Sequence, residues 1–157
     1  MIRLAKKGDI ESILKLIKES VEFHRNFDKS SYVFNKKIER ELQSALQSGL
    51  ADKNRLLVVA ENRKIVGYAR ASVDDSGRGY VGDIVVTADY RLRGIGKMLV
   101  AYMLRRFKKR NVFIISANVD PNNTSAIKFY EKLGFKKRSL TMSRELKSWL
   151  SFLLVLR

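Results

Sequence analysis

Asp83-Ile84-Val85-Val86-Thr87-Ala88-Asp89-Tyr90-Arg91-Leu92-Arg93-Gly94-Ile95-Gly96-Lys97 is the stretch whose reading decides the fold. An apolar strand-like run passes into a glycine-punctuated loop. Beyond it Ile95, Met98, Leu99, Tyr102, Met103 and Phe107 recur at helical spacing. A strand that enters a helix through such a loop aims several backbone N–H groups at one point, and the helix start adds partial positive charge. Gly94 and Gly96 would let an anion approach the backbone with no Cβ in the way, and Arg91, Arg93 and Lys97 add side-chain charge. The segment therefore reads as an anion cradle suited to a phosphorylated ligand. It does not fit the dinucleotide fingerprint, whose third glycine would fall at Leu99, nor the nucleotide-triphosphate loop, which needs glycine at Arg91 and Ser or Thr at Met98. Taken alone, Gly-x-Gly is equally the N-capping turn of an ordinary core helix.

Upstream, Ile2-Arg3-Leu4 alternates like a short strand. Asp9 stands where it can cap a helix carrying Ile10, Ile13, Leu14, Ile17 and Val21 on one face. Residues 22–35 are mixed, with Phe23, Phe27, Tyr32 and Phe34 among polar neighbours, and read as a loop or an irregular second helix start. A helix is expected from Lys36 to Ser48, with Ile38, Leu42, Ala45 and Leu46 on one face and Gly49 as its stop. The period then changes: Leu56–Ala60 and Ile65–Val73 read as strands joined at Glu61–Lys64, and a turn at Asp74–Gly79 leads to a third strand, Tyr80–Thr87. Downstream of the cradle, Val112–Val119 reads as a strand, Ala126–Leu133 as a short helix ending at Gly134, and Phe135–Leu146 as a final strand or hairpin. The order β-α-α-β-β-β-α-β-α-β is an α+β plan on one domain, residues 1–157.

A chain of 157 residues can bury a core of its own, and a hydrophobic fraction of 45% is that of a globular protein. Cysteine is absent and His24 is the sole histidine. These counts exclude a disulfide scaffold, a thiolate metal site and a cysteine acyl intermediate, and they argue against a zinc site or a Ser-His triad. The charge stands out: 32 Lys+Arg against 16 Asp+Glu leave +16, which suggests polyanionic company. The opening residues carry no apolar run of signal-peptide length, so a cytoplasmic protein is expected. The apolar tail, residues 147–157, is too short to span a bilayer and reads as core or as a dimer contact.

Two motifs together carry a resemblance to a family. Arg91-x-x-Gly94-x-Gly96 after an apolar strand resembles the acetyl-CoA signature of the GNAT N-acetyltransferase superfamily. Asn123-x-x-Ala126-x-x-x-Tyr130-Glu131-Lys132-Leu133-Gly134-Phe135 resembles that superfamily's second motif. The opening Ile2-Arg3-Leu4 and the hairpin Val59-Ala60-Glu61…Ile65-Val66-Gly67 also match, so the resemblance covers residues 2 to about 146. It implies a mixed, largely antiparallel twisted sheet flanked by about four helices and splayed at the cofactor strand. It further implies that the backbone of Ile84, Val85 and Val86 holds pantetheine and that Leu92 to Lys97, Ile95 among them, wraps the pyrophosphate. Asn123 would contact the cofactor arm, and Tyr130 would protonate the departing thiolate. No metal is implied.

The general base has more than one candidate. Some members carry a glutamate where this chain has Asn118, which cannot accept a proton. Asp83 matches an acidic position near the acceptor in other members; it could deprotonate the amine, or be a strand carboxylate paired with an arginine. Glu22, His24 and Asp28 are weaker candidates. The expected activity is direct transfer of an acetyl group from acetyl-CoA to a primary amine of a small molecule, a protein N-terminus or lysine. The rival reading is a binding module that uses its basic surface, above all Arg105 to Arg110, for nucleic acid or ribosome.

Overall fold

The computed structural model describes residues 1–26 and 34–142. Strand β1 (Ile2–Leu4) leads through a short 3-10 turn into helix α1 (Ile10–His24), and α2 (Lys36–Ala51) follows. Strands β2 (Arg55–Asn62), β3 (Lys64–Val73) and β4 (Arg78–Val86) come next, then α3 (Ile95–Lys108), β5 (Ile114–Ala117) and α4 (Thr124–Lys132). The strands form one sheet in the order β1-β2-β3-β4-β5, with antiparallel neighbours except for the parallel pair β4–β5. This is the α+β, mixed and largely antiparallel plan expected from the sequence, with four α-helices among the described residues.

The sheet is buried on both faces, which is why β2 reads as the unbroken run Leu56-Leu57-Val58-Val59-Ala60. Leu57 and Val59 pack under α1 and α2 with Ile10, Ile13, Leu14, Leu46, Tyr68 and Val85. Leu56, Val58 and Ala60 pack on the opposite side against Leu99, Val100, Met103 and Phe107 of α3. On α3 the buried stripe takes Val100 rather than Met98, which is 47% exposed.

Two irregularities of β4 shape everything downstream. Ala69 of β3 faces Ile84, but Ala71 faces Val81, so Arg70 stands opposite both Gly82 and Asp83. That extra residue is a β-bulge, which bends the strand. On its other side β4 pairs with β5 only from Arg78↔Ile114 to Val81↔Ala117. The bulge therefore begins where β5 departs, and the splay expected at the cofactor strand lies there.

The N-terminal strand is clipped by charge. Arg3 donates to both carboxylate oxygens of Asp9 at 2.6 and 3.0 Å, and its Nε donates to Glu61 at 2.7 Å. Asp9 is buried and also accepts from the Lys6 N–H at 2.8 Å. The Arg3 guanidinium holds the Asp9 carboxyl below the usual carboxylate range.

Several local expectations change. Asp9 does not cap α1 with its side chain; it is spent on Arg3 and Lys6. Helix α2 runs through Gly49 to Ala51, because Gly49 is buried against Leu57 and Arg55, where a Cβ would lie 3.4 Å from Leu57. Ala45 is exposed, leaving Ile38, Leu42, Leu46 and Gly49 as the inward stripe. The β2–β3 turn shrinks to Arg63, at φ 58°. Strand β5 is shorter than Val112–Val119, and residues 135–142 form no strand. Residues 143–146, the apolar tail 147–157 on which a dimer contact was expected, and Phe27, Asp28 and Tyr32 lie outside the described residues.

Because the folded-state pKa of Asp9 is depressed, its contribution is present above the unfolded value of 3.8 and is lost as pH falls below it. Asp9→Ala should cost about 2 kcal/mol in urea unfolding at pH 7. The gap between variant and wild type should narrow at pH 3; an equal gap at both pH values would contradict this clip.

Candidate active site

The splay opens a cleft of about 710 Å³. Its walls are the end of α1 (Ile17, Ser20, Val21, Phe23, His24), strand β4 from Gly82 to Val86, the loop and first turn of α3, and α4 with Phe129 and Tyr130. The β4 wall presents main chain. Thr87 N–H donates to Val66 on the β3 side at 3.0 Å. By the two-residue period of a strand, Val85 N–H faces β3 as well, and the N–H groups of Ile84 and Val86 face the cleft.

The loop supplies a second row of donors. Gly94 caps α3 at φ 78°, a left-handed conformation that few other residues adopt without strain, and its C=O accepts the first helical bond, from Met98 at 3.0 Å. None of the backbone N–H groups from Leu92 to Lys97 has a hydrogen-bond partner among the described residues. Leu92 is fully exposed at φ 60°. The two glycines differ in purpose. A Cβ on Gly94 would meet nothing within 4 Å, whereas one on Gly96 would lie 3.3 Å from the ring of Phe129. Gly96 is thus kept small by the packing of α4 on α3, in addition to lining the cleft.

The three cations of the cradle are not equivalent. Arg91 is committed to the protein: its Nε donates to the Val86 carbonyl at 3.0 Å, its Nη2 lies 3.3 Å from Glu19, and it stacks over Phe23 at 5.0 Å. Glu19 also accepts from the Ala88 N–H at 2.9 Å, so this α1 carboxylate fixes the start of the loop. Sequence reasoning missed Glu19; no motif marks it, because the contact spans 69 residues. Arg93 stacks on Tyr90 at 5.2 Å, and exposed Lys97 lines the cleft.

Asn123 is buried and caps α4, its Oδ1 accepting from Ala126 N–H at 3.0 Å and from the Ser125 hydroxyl at 2.8 Å. Tyr130 lines the cleft with its ring edge-on to Phe129 and Phe135, at 5.3 and 5.1 Å between centroids. Burial, with added push from Tyr80 and the Asp83 charge, raises its phenol to about 12. Asp83 lines the cleft and pairs with Arg70 at 3.0 Å. Asn118 lines the cleft too. His24 Nδ1 sits 2.7 Å from the Ser20 carbonyl, and Glu22 points elsewhere, 3.6 Å from Arg25.

With this geometry in hand, the likeness to known proteins is specific. The profile of the acetyltransferase (GNAT) family matches residues 14–135, and the chain belongs to that family. It is 30% identical to an uncharacterized N-acetyltransferase of Methanocaldococcus jannaschii over 95% of this chain and 64% of that one. It is 25% identical to the peptidyl-lysine N-acetyltransferase YjaB of Salmonella typhimurium over 86% and 82%. Matches to the uncharacterized N-acetyltransferase ycf52 of Pyropia yezoensis and of Gracilaria tenuistipitata span 52% and 43% of those proteins, so the chain covers about half the length of these curated relatives. In fold it is similar to the PaiA N-acetyltransferase of Thermoplasma acidophilum solved with coenzyme A (TM-score 0.76, 16% identity, 90% and 92% coverage). It is likewise similar to the aminoglycoside N-acetyltransferase AAC(6')-Iy solved with CoA (TM-score 0.73, 19% identity, 94% and 100% coverage).

The contact at Gly96 yields a structural test. Gly96→Val should lower stability by about 1–3 kcal/mol through the Phe129 clash even without ligand. Gly94→Ala should cost about 1 kcal/mol, through its backbone angle alone. Thermal unfolding of both variants reads the difference; a neutral Gly96→Val would mean α4 does not press on α3.

Proposed function

We propose that this chain is an acetyl-CoA-dependent N-acetyltransferase that passes the acetyl group directly to a primary amine of a small molecule or of a protein N-terminus or lysine. The observation that carries the reading is the convergence of two rows of unpaired backbone donors, Ile84 and Val86 on β4 and Leu92 to Lys97 at α3, on one cleft beside Tyr130. The β4 row suits the amides of a pantetheine arm, in the manner of an added strand. The loop row, with Lys97 and Arg93 beside it, suits a pyrophosphate at a helix start. Asn123 keeps only its Nδ2 to offer, because Oδ1 is spent on the cap.

Acetyl-CoA supplies an activated thioester. The residues around it then bind, orient and hold protons. Tyr130 keeps its phenolic proton over the whole working range, since its pKa is pushed to about 12. It is therefore a standing hydrogen-bond donor toward a sulfur on which negative charge develops. A phenol that weakly acidic stabilises the developing thiolate more by that hydrogen bond than by full proton transfer to a thiol of pKa near 8.5. On the opposite side of β4 the Asp83 carboxylate holds the acceptor's ammonium and takes up its proton, directly or through water. With no cysteine in the chain to carry the acyl group, attack of the amine straight on the thioester is the expected course.

The surplus charge supports a second reading, in which the basic end of α3 binds nucleic acid. Arg105, Arg106, Lys108, Lys109 and Arg110 are all exposed, and none pairs with a carboxylate among the described residues. Part of this cluster is ordinary compensation of the helix dipole. Nucleic-acid affinity that falls steeply with salt, in a protein that transfers no acetyl group, would favour it over the enzyme.

The test of the enzyme is CoA release over panels of small amines and N-terminal or lysine peptides. Tyr130→Phe should lower kcat about 100-fold while leaving the CoA dissociation constant within a few-fold. Tyr130 loses its proton only near pH 12, so kcat/KM should rise as the amine deprotonates and show no alkaline fall from this residue up to about pH 10. Full activity in Tyr130→Phe would remove the residue from the mechanism, and absence of CoA binding would overturn the reading.

A further inference from the structure

The charges of the cleft restrict its acceptor. Among the described residues that line it, Asp83 is the one carboxylate, against the cations Arg91, Lys97 and Lys132. That carboxylate is already paired with Arg70. A polycationic acceptor needs several carboxylates to replace its hydration, and this wall offers one.

Arg70 does not itself line the cleft; it stands at its edge through its ion pair with Asp83, which does. Asp83 lies two residues from Val85 and Arg70 two residues from Tyr68, and both of those core residues pack under α1. Arg70 and Asp83 therefore project on the α1 side of the sheet, opposite the α3 face. The guanidinium lies across the bulge: a Cβ on Gly82 would be 3.0 Å from its Nε and 3.2 Å from its Nη2. Gly82, which is itself part of the cleft wall, thus makes the room for Arg70. Arg70 comes closest to Asp83 through Nε, and the side chain is 46% exposed. Its two terminal nitrogens donate no hydrogen bond among the described residues and form a fork suited to a carboxylate.

We infer that Arg70 is a specificity-determining residue that binds a carboxylate on the acceptor, so that the preferred substrate is a primary amine bearing a carboxylate, its ammonium against Asp83 and its anion on the free edge of Arg70. The pair presents opposite charges side by side, complementary to a zwitterion and not to a bare amine. This rests on the acetyltransferase reading above and narrows its acceptor.

The probes are ω-amino acids of one to four methylenes, each beside its own carboxamide, with acetyl-CoA as donor. At one or more chain lengths kcat/KM should be at least about 10-fold higher for the carboxylate than for the amide. Arg70→Gln should bring that ratio to near one, chiefly through KM of the carboxylate substrate, and Arg70→Lys should restore part of it. A wild-type ratio of one or below at every length overturns the inference, as does an Arg70→Gln variant that keeps the ratio. If CoA binds but no amine turns over, the enzyme reading fails separately. Titration of glutarate into the CoA-loaded protein then decides the site: binding lost in Arg70→Gln supports it, and equal or absent binding overturns it.

Discussion

The parting of β4 from β5 after Val81 is the constraint on which the rest depends. A sheet strand that loses its neighbour leaves N–H and C=O groups without partners, a cost that a buried position cannot carry unless something else pairs with them. Here the loss is produced by sequence. An extra residue at Gly82–Asp83 bends β4, while β3 holds its other edge in register. The same bulge that exposes Ile84 and Val86 to the cleft turns Asp83 and Arg70 toward the α1 side. One irregularity therefore shapes both parts of the candidate site, a main-chain edge on one side and a charged pair on the other.

The loop that follows is held open by contacts made elsewhere. Arg91 looks from the sequence like a phosphate ligand. In the fold its side chain lines the cleft and also bridges Val86, Glu19 and Phe23, which ties the loop to α1. Gly94 supplies the left-handed turn, and Gly96 lets Phe129 close against α3. Charge at the site is therefore smaller than the composition suggests. Arg91, Lys97 and Lys132 are the cations that line the cleft, and most of the surplus of 16 lies away from it.

Local pattern made much of this legible. The helical stripe of α3 and the continuous apolar run of β2 set the element order, and the resemblance carried by the pair of spaced motifs implied that Tyr130, Gly94 and Ile84 share one site. Terminal signals misled where tertiary contacts outweighed them. Gly49 lies within α2, buried against Leu57, and does not end it, and Asp9 serves Arg3 and Lys6 rather than a helix start. Glu19 and Arg70 were invisible for a different reason: each acquires its role from a partner distant in sequence, and neither sits in a motif. Phe135 to Met142 alternates like a strand yet pairs with nothing in the described sheet, a reminder that alternation describes a face and not a partner.

The central claim is that one row of β4 amides and one row of α3 loop amides hold the donor. Titration of CoA into isotopically labelled protein, followed by backbone amide chemical shifts, tests it most directly. The account predicts saturable binding with the largest shifts at Ile84, Val86 and Leu92 through Lys97. Absence of saturable binding, or shifts confined to the basic end of α3 near Arg105 to Arg110, would contradict it.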